Sequence, residues 1–325
     1  MITKAKRVTE IVDFALDNGD EKACAAFDLN AESLGRYKRQ YKNTLKKDLS
    51  YVTVLKKIGE TYTPKELQAI ASGGRLVPGY KRPPAINFEG EHVRFAHMTD
   101  SHMGGVYFVE ECWDAAIDRC KRTKVSFICH TGDITEGMSR RDGQIYELTH
   151  IGFDAQKDYA IEQMAKWTKP WFCIDGNHDR WFMKSNGALI VKDICNALPN
   201  ATYLGQDEGD ISLKGEGDIS LKGVVLKLWH GEDASSYATS YRIQKVIEAF
   251  TGGEKPHILC LGHTHKQVYM FERHVHAVSG GAMCKQSAWM RGKRLANHMG
   301  FHIIDVWVNK DGVARFRPEW IPFYL

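Results

Sequence analysis

No run of apolar residues in the 325-residue chain is long enough to cross a bilayer, and the N-terminus carries no apolar signal core. Met1-Ile2-Thr3-Lys4-Ala5-Lys6-Arg7 leads straight into an amphipathic pattern that contains Asp13 and Asp17. Both absences read as a cytoplasmic protein. None of the eight cysteines (24, 112, 120, 129, 173, 195, 260, 284) forms a C-x-x-C pair or a zinc-finger spacing, so the thiols are expected to be reduced. Cys129, Cys173 and Cys260 lie inside apolar runs, where cysteine acts as a small hydrophobe. Proline is scarce at nine residues, and three of them fall within 73–84. That stretch can continue neither a helix nor a central strand, and it predicts a linker. With 43% hydrophobic and 26% charged residues, the composition also excludes a disordered, collagen-like or coiled-coil chain.

The length suits one large or two unequal domains. The net charge of +4 is unevenly spread: residues 1–82 carry 16 Lys and Arg against 10 Asp and Glu, and residues 83–325 carry 28 against 30. A basic excess confined to the front points to a nucleic-acid or acidic-surface partner for that part. Three domain-level segments are expected: a helical unit over 1–72, a linker over 73–90, and an α/β unit over 91–325.

In the front unit, Val8, Ile11, Val12, Ala15 and Leu16 follow the stripe of a helix with one buried face, and Asn18-Gly19 ends it. A second helix is expected over 20–27 and a third after Asn30 as N-cap, with Leu34, Tyr37 and Tyr41 on one face. Another helix is marked at 63–73 by Thr63, Pro64 and Glu66 and by Gly73-Gly74. From Val93 onward, short apolar runs alternate with helical stretches at 112–122, 154–168 and 236–250, which is an α/β pattern. Residues 209–216 are repeated almost at once in 217–223 (GDISLKGE, GDISLKG), and the duplication is expected to form a surface hairpin or loop.

The chemistry-bearing residues stand just after apolar runs. Val93–Met98 leads to Asp100 and His102, Val125–Cys129 to Asp133 and Glu136, and Trp171–Ile174 to Asn177, His178 and Asp179. Val224–Trp229 leads to His230, and His257–Leu261 to His263 and His265. Binding sites of α/β sheets form beyond the carboxyl ends of strands, so these residues are expected to converge. Imidazoles and carboxylates with one amide suit a catalytic site for divalent first-row metals better than a closed structural zinc site. Asp100, His102, Asp133, Asn177, His230, His263 and His265 make seven donors, enough for two ions with one bridging carboxylate.

The ordered motifs D-x-H, G-D-x-x-E, G-N-H-D, H-G and G-H-T-H resemble those of the calcineurin-like metallophosphoesterases, over about residues 90–325. The resemblance implies a β-sandwich flanked by helices, with Asp100, His102 and His265 on one metal, Asn177, His230 and His263 on the other, and Asp133 bridging. The ions would be Mn, Zn, Fe or Ni. It also implies in-line attack on phosphorus by a hydroxide that bridges the metals, with His178 assisting the leaving oxygen and Glu136 orienting His178. Gly137 replaces the arginine that the longer family motif carries, which removes one phosphate clamp and argues against the phosphoprotein-phosphatase branch. Arg180 is the candidate replacement, with an ion pair as the alternative. Of the remaining histidines, His97 and His130 could support the metal ligands but are expected to pack, and the others are assigned to surface or core.

Residues 20–39 fit a helix-turn-helix, and a stretch of about 45 residues around them resembles the homeodomain-like segments of transposases and bacteriophage packaging proteins, with nucleic acid expected to bind through 20–47. Asp28 stands at the turn where glycine is usual, and aspartate tolerates the left-handed conformation. Arg36, Lys38, Arg39, Lys42, Lys46 and Lys47 follow with no acid from 33 to 47, a phosphate-facing pattern. The alternative is a three-helix module for protein contacts. The leading expectation is therefore a phosphodiesterase or nuclease brought to DNA by its front domain. The alternatives are an enzyme for a nucleotide-sized phosphoester and a DNA-binding regulator with an idle phosphoesterase domain.

Overall fold

The computed structural model describes residues 4–41, 83–215, 223–232, 239–251, 255–309 and 311–324. The helix expected at 63–73, Lys42, Lys46 and Lys47, the linker up to residue 82 and residues 217–222 of the second repeat copy lie outside them. The chain divides into two compact units, Met1–Arg82 and Pro83–Leu325.

In the first unit, α1 spans Lys4–Asn18 and α2 spans Asp20–Phe27, and a third helix, α3, covers 31–41. Asp28 caps α2 in the left-handed conformation (φ 51°), the geometry its side chain tolerates. Asn30 caps α3 by accepting from Ser33 N at 2.8 Å. Ile11, Ala15, Ala23 and Leu34 form the small core, with Phe14, Phe27 and Tyr37 packed on it. Leu16, expected on the buried stripe, is instead 67% exposed; the face that packs runs through Ile11, Val12 and Ala15.

The second unit has two six-stranded mixed sheets. The first has the order β1-β6-β7-β8-β10-β9, from Ala85–Asn87, Glu208–Lys214, Val224–Trp229, Ile258–Leu261, Val275–Gly280 and Gln267–Glu272 respectively. The second has the order β12-β11-β2-β3-β4-β5, from Gly312–Pro322, Gly300–Asn309, His92–Met98, Phe127–His130, Trp171–Asp175 and Ala201–Gln206. Phe95, Phe127, Phe172 and Val306 of one sheet meet Ile211, Leu226, Leu228 and Cys260 of the other in the core between them. The outer face of the second sheet is covered by α4 (Glu110–Arg122), α5 (Phe153–Ala165) and α7 (Ile190–Ala197), and α6 (Arg180–Asn186) adds Phe182 to that core. The outer face of the first is covered by α8 (Thr239–Ala249) through Ile243 and Ile247. Central strands are thus buried on both faces, which is why they read as unbroken apolar runs and not as alternation.

The first repeat copy departs from its expected surface position. Its Ile211 and Leu213 are fully buried, and β6 pairs with β1 on one side and β7 on the other. Alternating apolar residues in a seven-residue segment suffice for a strand once a partner edge is present.

Strands β2, β3 and β4 run parallel, as do β7 and β8, so their carboxyl ends open along common edges. On the other side of β2, Arg94 reaches Asp305 of β11 with Nε and Nη2 at 2.8 and 3.2 Å, and His92 Nε2 lies 2.7 Å from the same carboxylate. Burial works to raise the Asp305 carboxyl, but Arg94 and His92 outweigh it and hold it below its ordinary value. A depressed folded pKa gives stability that is present above the unfolded value and lost as pH falls through the folded one. Asp305→Asn is expected to cost about 1–3 kcal/mol at neutral pH, and the difference from the parent should close as pH falls below about 4. Urea midpoints across that range test it; a pH-independent difference would contradict it.

Candidate metal centre

Seven predicted donors, together with His178 and Glu136, converge where the two sheets' strand ends meet. Asp100 and His102 follow β2, Asp133 follows β3, Asn177 follows β4, His230 follows β7, and His263 and His265 follow β8. The loops are tied across strands: Asp100 N donates to Gly132 O at 3.1 Å and His102 N to Asp133 O at 3.0 Å. His263 N donates to the Asp100 carboxylate at 2.9 Å, which bridges the two sheets.

Two groupings face each other across Asp133. His265 Nε2 lies 3.3 Å from Asp100 Oδ1 and 3.2 Å from His102 Nε2. On the other side, Asn177 Oδ1 lies 2.9 Å from His230 Nε2 and 2.7 Å from His263 Nδ1. Asp133 Oδ2 lies 3.3 Å from His230 Nε2 and 3.9 Å from His102 Nε2, between the groups. Burial opposes ionisation of Asp100 and Asp133, yet the surrounding imidazoles outweigh it and hold both carboxyls low.

The tautomers follow from the outer partners. His230 Nδ1 faces Thr131 O at 2.7 Å, a group that only accepts, so Nδ1 carries the proton and Nε2 turns its lone pair inward. His265 Nδ1 faces Asn297 Oδ1 at 2.8 Å, while Asn297 Nδ2 donates to Cys284 O at 2.9 Å, so His265 Nε2 is likewise the nitrogen turned inward. His102 Nδ1 lies 3.0 Å from Glu136 Oε2. Two imidazole nitrogens 3.2 Å apart, beside two buried carboxylates, need a positive charge among them, a proton or a metal ion. The residues fit divalent metal, and the outer partners are of the kind that orients metal-ligating histidines.

His178 stands beside the cluster. Its backbone N donates to Asp133 Oδ1 at 2.8 Å, its Nδ1 lies 2.8 Å from Glu136 O and 3.6 Å from Glu136 Oε1, and Trp181 lies against its ring at 3.9 Å between centroids. Burial would lower the His178 imidazolium, but Asp133 and Glu136 outweigh it and raise it to about 9. Glu136, whose own carboxyl burial would raise, is held down to about 2 by His102 and His178. Glu136 therefore serves two imidazoles and not one.

Two residues missed from sequence shape the loops. Asp179, buried, accepts from Gly176 N, Ile134 N, Thr135 N and Thr135 Oγ1 at 2.8–3.2 Å, locking the loop after β4 onto the loop after β3. It was visible in G-N-H-D but carried no role. Cys284 is 3% exposed and faces His102 and His265. Its segment has no motif, and no sequence signal could have found it.

Other expectations are corrected or refined. Arg180 does not offer a free guanidinium: it is buried and bound to Asp207 and, at 2.7 Å, to Glu232, the ion-pair alternative. His97 and His130 are fully buried, at 2.9 Å from Thr131 Oγ1 and 2.7 Å from Ser101 Oγ respectively. In the front unit Arg36 and Arg39 are exposed, and Lys38 pairs with Asp20 at 2.5 Å. No helix among the described residues is long and apolar enough to cross a membrane, and the eight cysteines are free.

A cleft of about 610 Å³ opens onto the cluster. Tyr107, Trp181 and Trp289 line it with Arg141, Lys266 and Lys285. Of Lys285, Arg291, Lys293 and Arg294, basic residues that could line an open groove at the site, Lys285 alone is in its described lining.

Imidazoles and carboxylates arranged in this way at strand ends define a hydrolase that uses divalent metal. A family model for calcineurin-like phosphoesterases matches residues 93–267, and the chain belongs to that family. The match does not reach residues 1–82, so the helix-turn-helix reading gains no support from it. Similar solved structures include an archaeal phosphodiesterase (14% identity, TM-score 0.40, covering 70% of this chain and 100% of that one). Others are the E. coli phosphoesterase Yfce (11%, 0.38, 69% and 98%) and a putative 5'-nucleotidase from Staphylococcus aureus (12%, 0.43, 71% and 54%). At these values they carry no argument beyond the family. None of the curated proteins compared matches this chain.

Gly176 sits against the central carboxylate, where an added Cβ would overlap Asp133 Oδ1. Gly176→Ala is expected to weaken divalent-metal binding about 10–100-fold with the fold retained. Chelator competition with circular dichroism measures both, and unchanged affinity would contradict the packing argument.

Proposed function

We propose that the chain is a dinuclear metal-dependent phosphodiesterase that acts on nucleic acid, with its front unit supplying affinity for the phosphate backbone. Asp100, His102 and His265 would hold one ion, Asn177, His230 and His263 the other, and Asp133 would serve both. Divalent ions at such a site supply Lewis acidity toward phosphoryl oxygens and make water nucleophilic at neutral pH. The observation that carries the reading is the place of His178, bonded through its backbone N to Asp133 and held by Glu136 and Trp181, beside the two donor groups in a cleft with aromatic and cationic walls.

The chain's own residues have separable tasks. His178, whose imidazolium the Glu136 carboxylate favours, donates its proton to the departing oxygen. Glu136 and Trp181 hold its ring in place. Trp289, 53% exposed at the cleft, offers a face for a base, and Lys266 and Lys285 offer charge for a neighbouring phosphate. Arg180 holds Asp207 and Glu232 and is assigned no phosphate contact. On the front unit, Arg36 and Arg39 supply phosphate contacts, and Lys42, Lys46 and Lys47 continue the basic run.

A second reading, a nucleotide-sized phosphoester as substrate, is favoured by the cleft volume, which lies within the range of small-molecule sites. An idle domain is disfavoured by the complete donor set.

The test is Mn²⁺-dependent hydrolysis of bis-p-nitrophenyl phosphate against p-nitrophenyl phosphate, in parallel with single- and double-stranded DNA, by the full chain and by Arg36→Glu/Arg39→Glu. Cleavage of DNA and the diester, with DNA alone weakened in the variant, is expected. Turnover of the model esters with DNA untouched selects the nucleotide-sized substrate, and no turnover with any divalent metal sinks the enzyme reading. Two variants separate the roles: His178→Ala should keep its metal and lose turnover about 10²–10⁴-fold, whereas Asp133→Ala should lose metal. An active His178→Ala protein would remove His178 from the mechanism.

A further inference from the structure

The seven donors read from the sequence contain only nitrogen and oxygen, but a sulfur stands among them. Cys284 Sγ and one ring nitrogen each of His102 and His265 lie within 4.8 Å of one another, and Cys284 also lines the cleft. Its placement is built and not incidental. Met283 N donates to Asp100 O at 3.1 Å and to Thr99 O at 3.2 Å, seating the segment after β10 directly on the loop after β2. Phe108 and Cys284 form an antiparallel bridge on the other side. Asn297 fixes both partners with one amide, accepting from His265 Nδ1 and donating to Cys284 O. His102 Nδ1 lies 3.0 Å from Glu136 Oε2 and His265 Nδ1 faces Asn297 Oδ1, so the chain turns His102 Nε2, His265 Nε2, the Asp100 carboxylate and a sulfur toward one buried place.

Resting on the metal reading above, we propose that Cys284 is a thiolate ligand of the ion held by Asp100, His102 and His265, and that it tunes this half of the site toward zinc, iron or cobalt and away from magnesium or manganese. On binding, a sulfur–metal bond forms and the thiol proton leaves to bulk water. Thiolate favours the softer divalent ions, whereas carboxylate and water suit magnesium and manganese. The two halves of the centre would then differ in metal preference, since the group of Asp133, His230 and His263 contains no sulfur.

The experiment uses the full chain, stripped with chelator and loaded with Co²⁺, whose visible bands report uptake and whose near-ultraviolet thiolate charge-transfer band reports a Co–S bond. The parent should show both. Cys284→Ser and Cys284→Ala should keep the visible bands, lose the near-ultraviolet band, and lower the preference for Zn²⁺ over Mn²⁺ in competition about tenfold or more. Visible bands without the near-ultraviolet band in the parent, or a near-ultraviolet band that survives in folded Cys284→Ser, would overturn the ligand role and leave the metal centre standing. No cobalt uptake by the parent would overturn both.

Discussion

Five of the seven donor side chains stand on residues held at positive φ, and the rest of the site depends on that constraint. Asp100, His102, Asp133, His263 and His265 have φ between 50° and 73°; they are five of the eleven described non-glycine residues in this region. The left-handed conformation costs an L-residue roughly 1–2 kcal/mol, so the loops would relax to ordinary geometry if nothing opposed them. What opposes them is the net of backbone bonds between strand ends, with the Asp179 and Asp100 carboxylates accepting the amides that no strand partner takes. The reversals turn successive side chains toward one point, which an extended strand, with its alternating sides, cannot do.

That net needs a rigid support, and the two-sheet core provides it. Each ligand-bearing strand is packed on both faces: β3 and β4 against α4, α5 and α7 on one side and the partner sheet on the other, and β8 against α8 and the second sheet. Trp113 and Trp171, stacked at 5.9 Å and 2°, tie α4 to the start of β4, the strand whose far end leads to Asn177 and His178. The strain at the strand ends is offset by apolar burial a few residues away, which separates the part of the chain that stores geometry from the part that pays for it.

The same separation explains what could be read from sequence. The ligand-bearing strands show as apolar runs because both their faces are buried, and the donors show because D, H and N following such a run have no place in a core. Leu16 misled because a helical stripe says which residues share a face and not how wide the covered face is. The first repeat copy misled because nothing local to Gly209–Glu216 reports that β1 and β7 flank it. Arg180 is ambiguous in sequence because its partners, Asp207 and Glu232, come from other loops. Cys284 was invisible for the same reason: its neighbours are 182 and 19 positions away, at His102 and His265, and only the return of β10 along β8 brings it there.

The glycine at 137 carries the argument about substrate furthest. Where the longer family motif has arginine, Gly137 has φ 69°, and an added Cβ would overlap His178 O and approach Trp181 Cε3 at 3.1 Å. The backbone here has no room for the missing clamp, because the His178 carbonyl stands against Gly137 with Trp181 next to it, packed on the His178 ring. Gln156 fixes the turn further by donating to Gly137 O and accepting from Gly137 N. In place of a guanidinium that would meet a phosphoryl oxygen, the chain has an indole packed on His178. A phosphomonoester dianion loses more from that exchange than a diester, which carries one charge. With Arg180 tied to carboxylates, Arg141 paired with Glu147 and Arg242 bonded to Gly231 O, Lys266 and Lys285 stand beside Trp289 among the described residues of the cleft wall, and that pairing of charge with an aromatic face is what supports the proposed diester substrate.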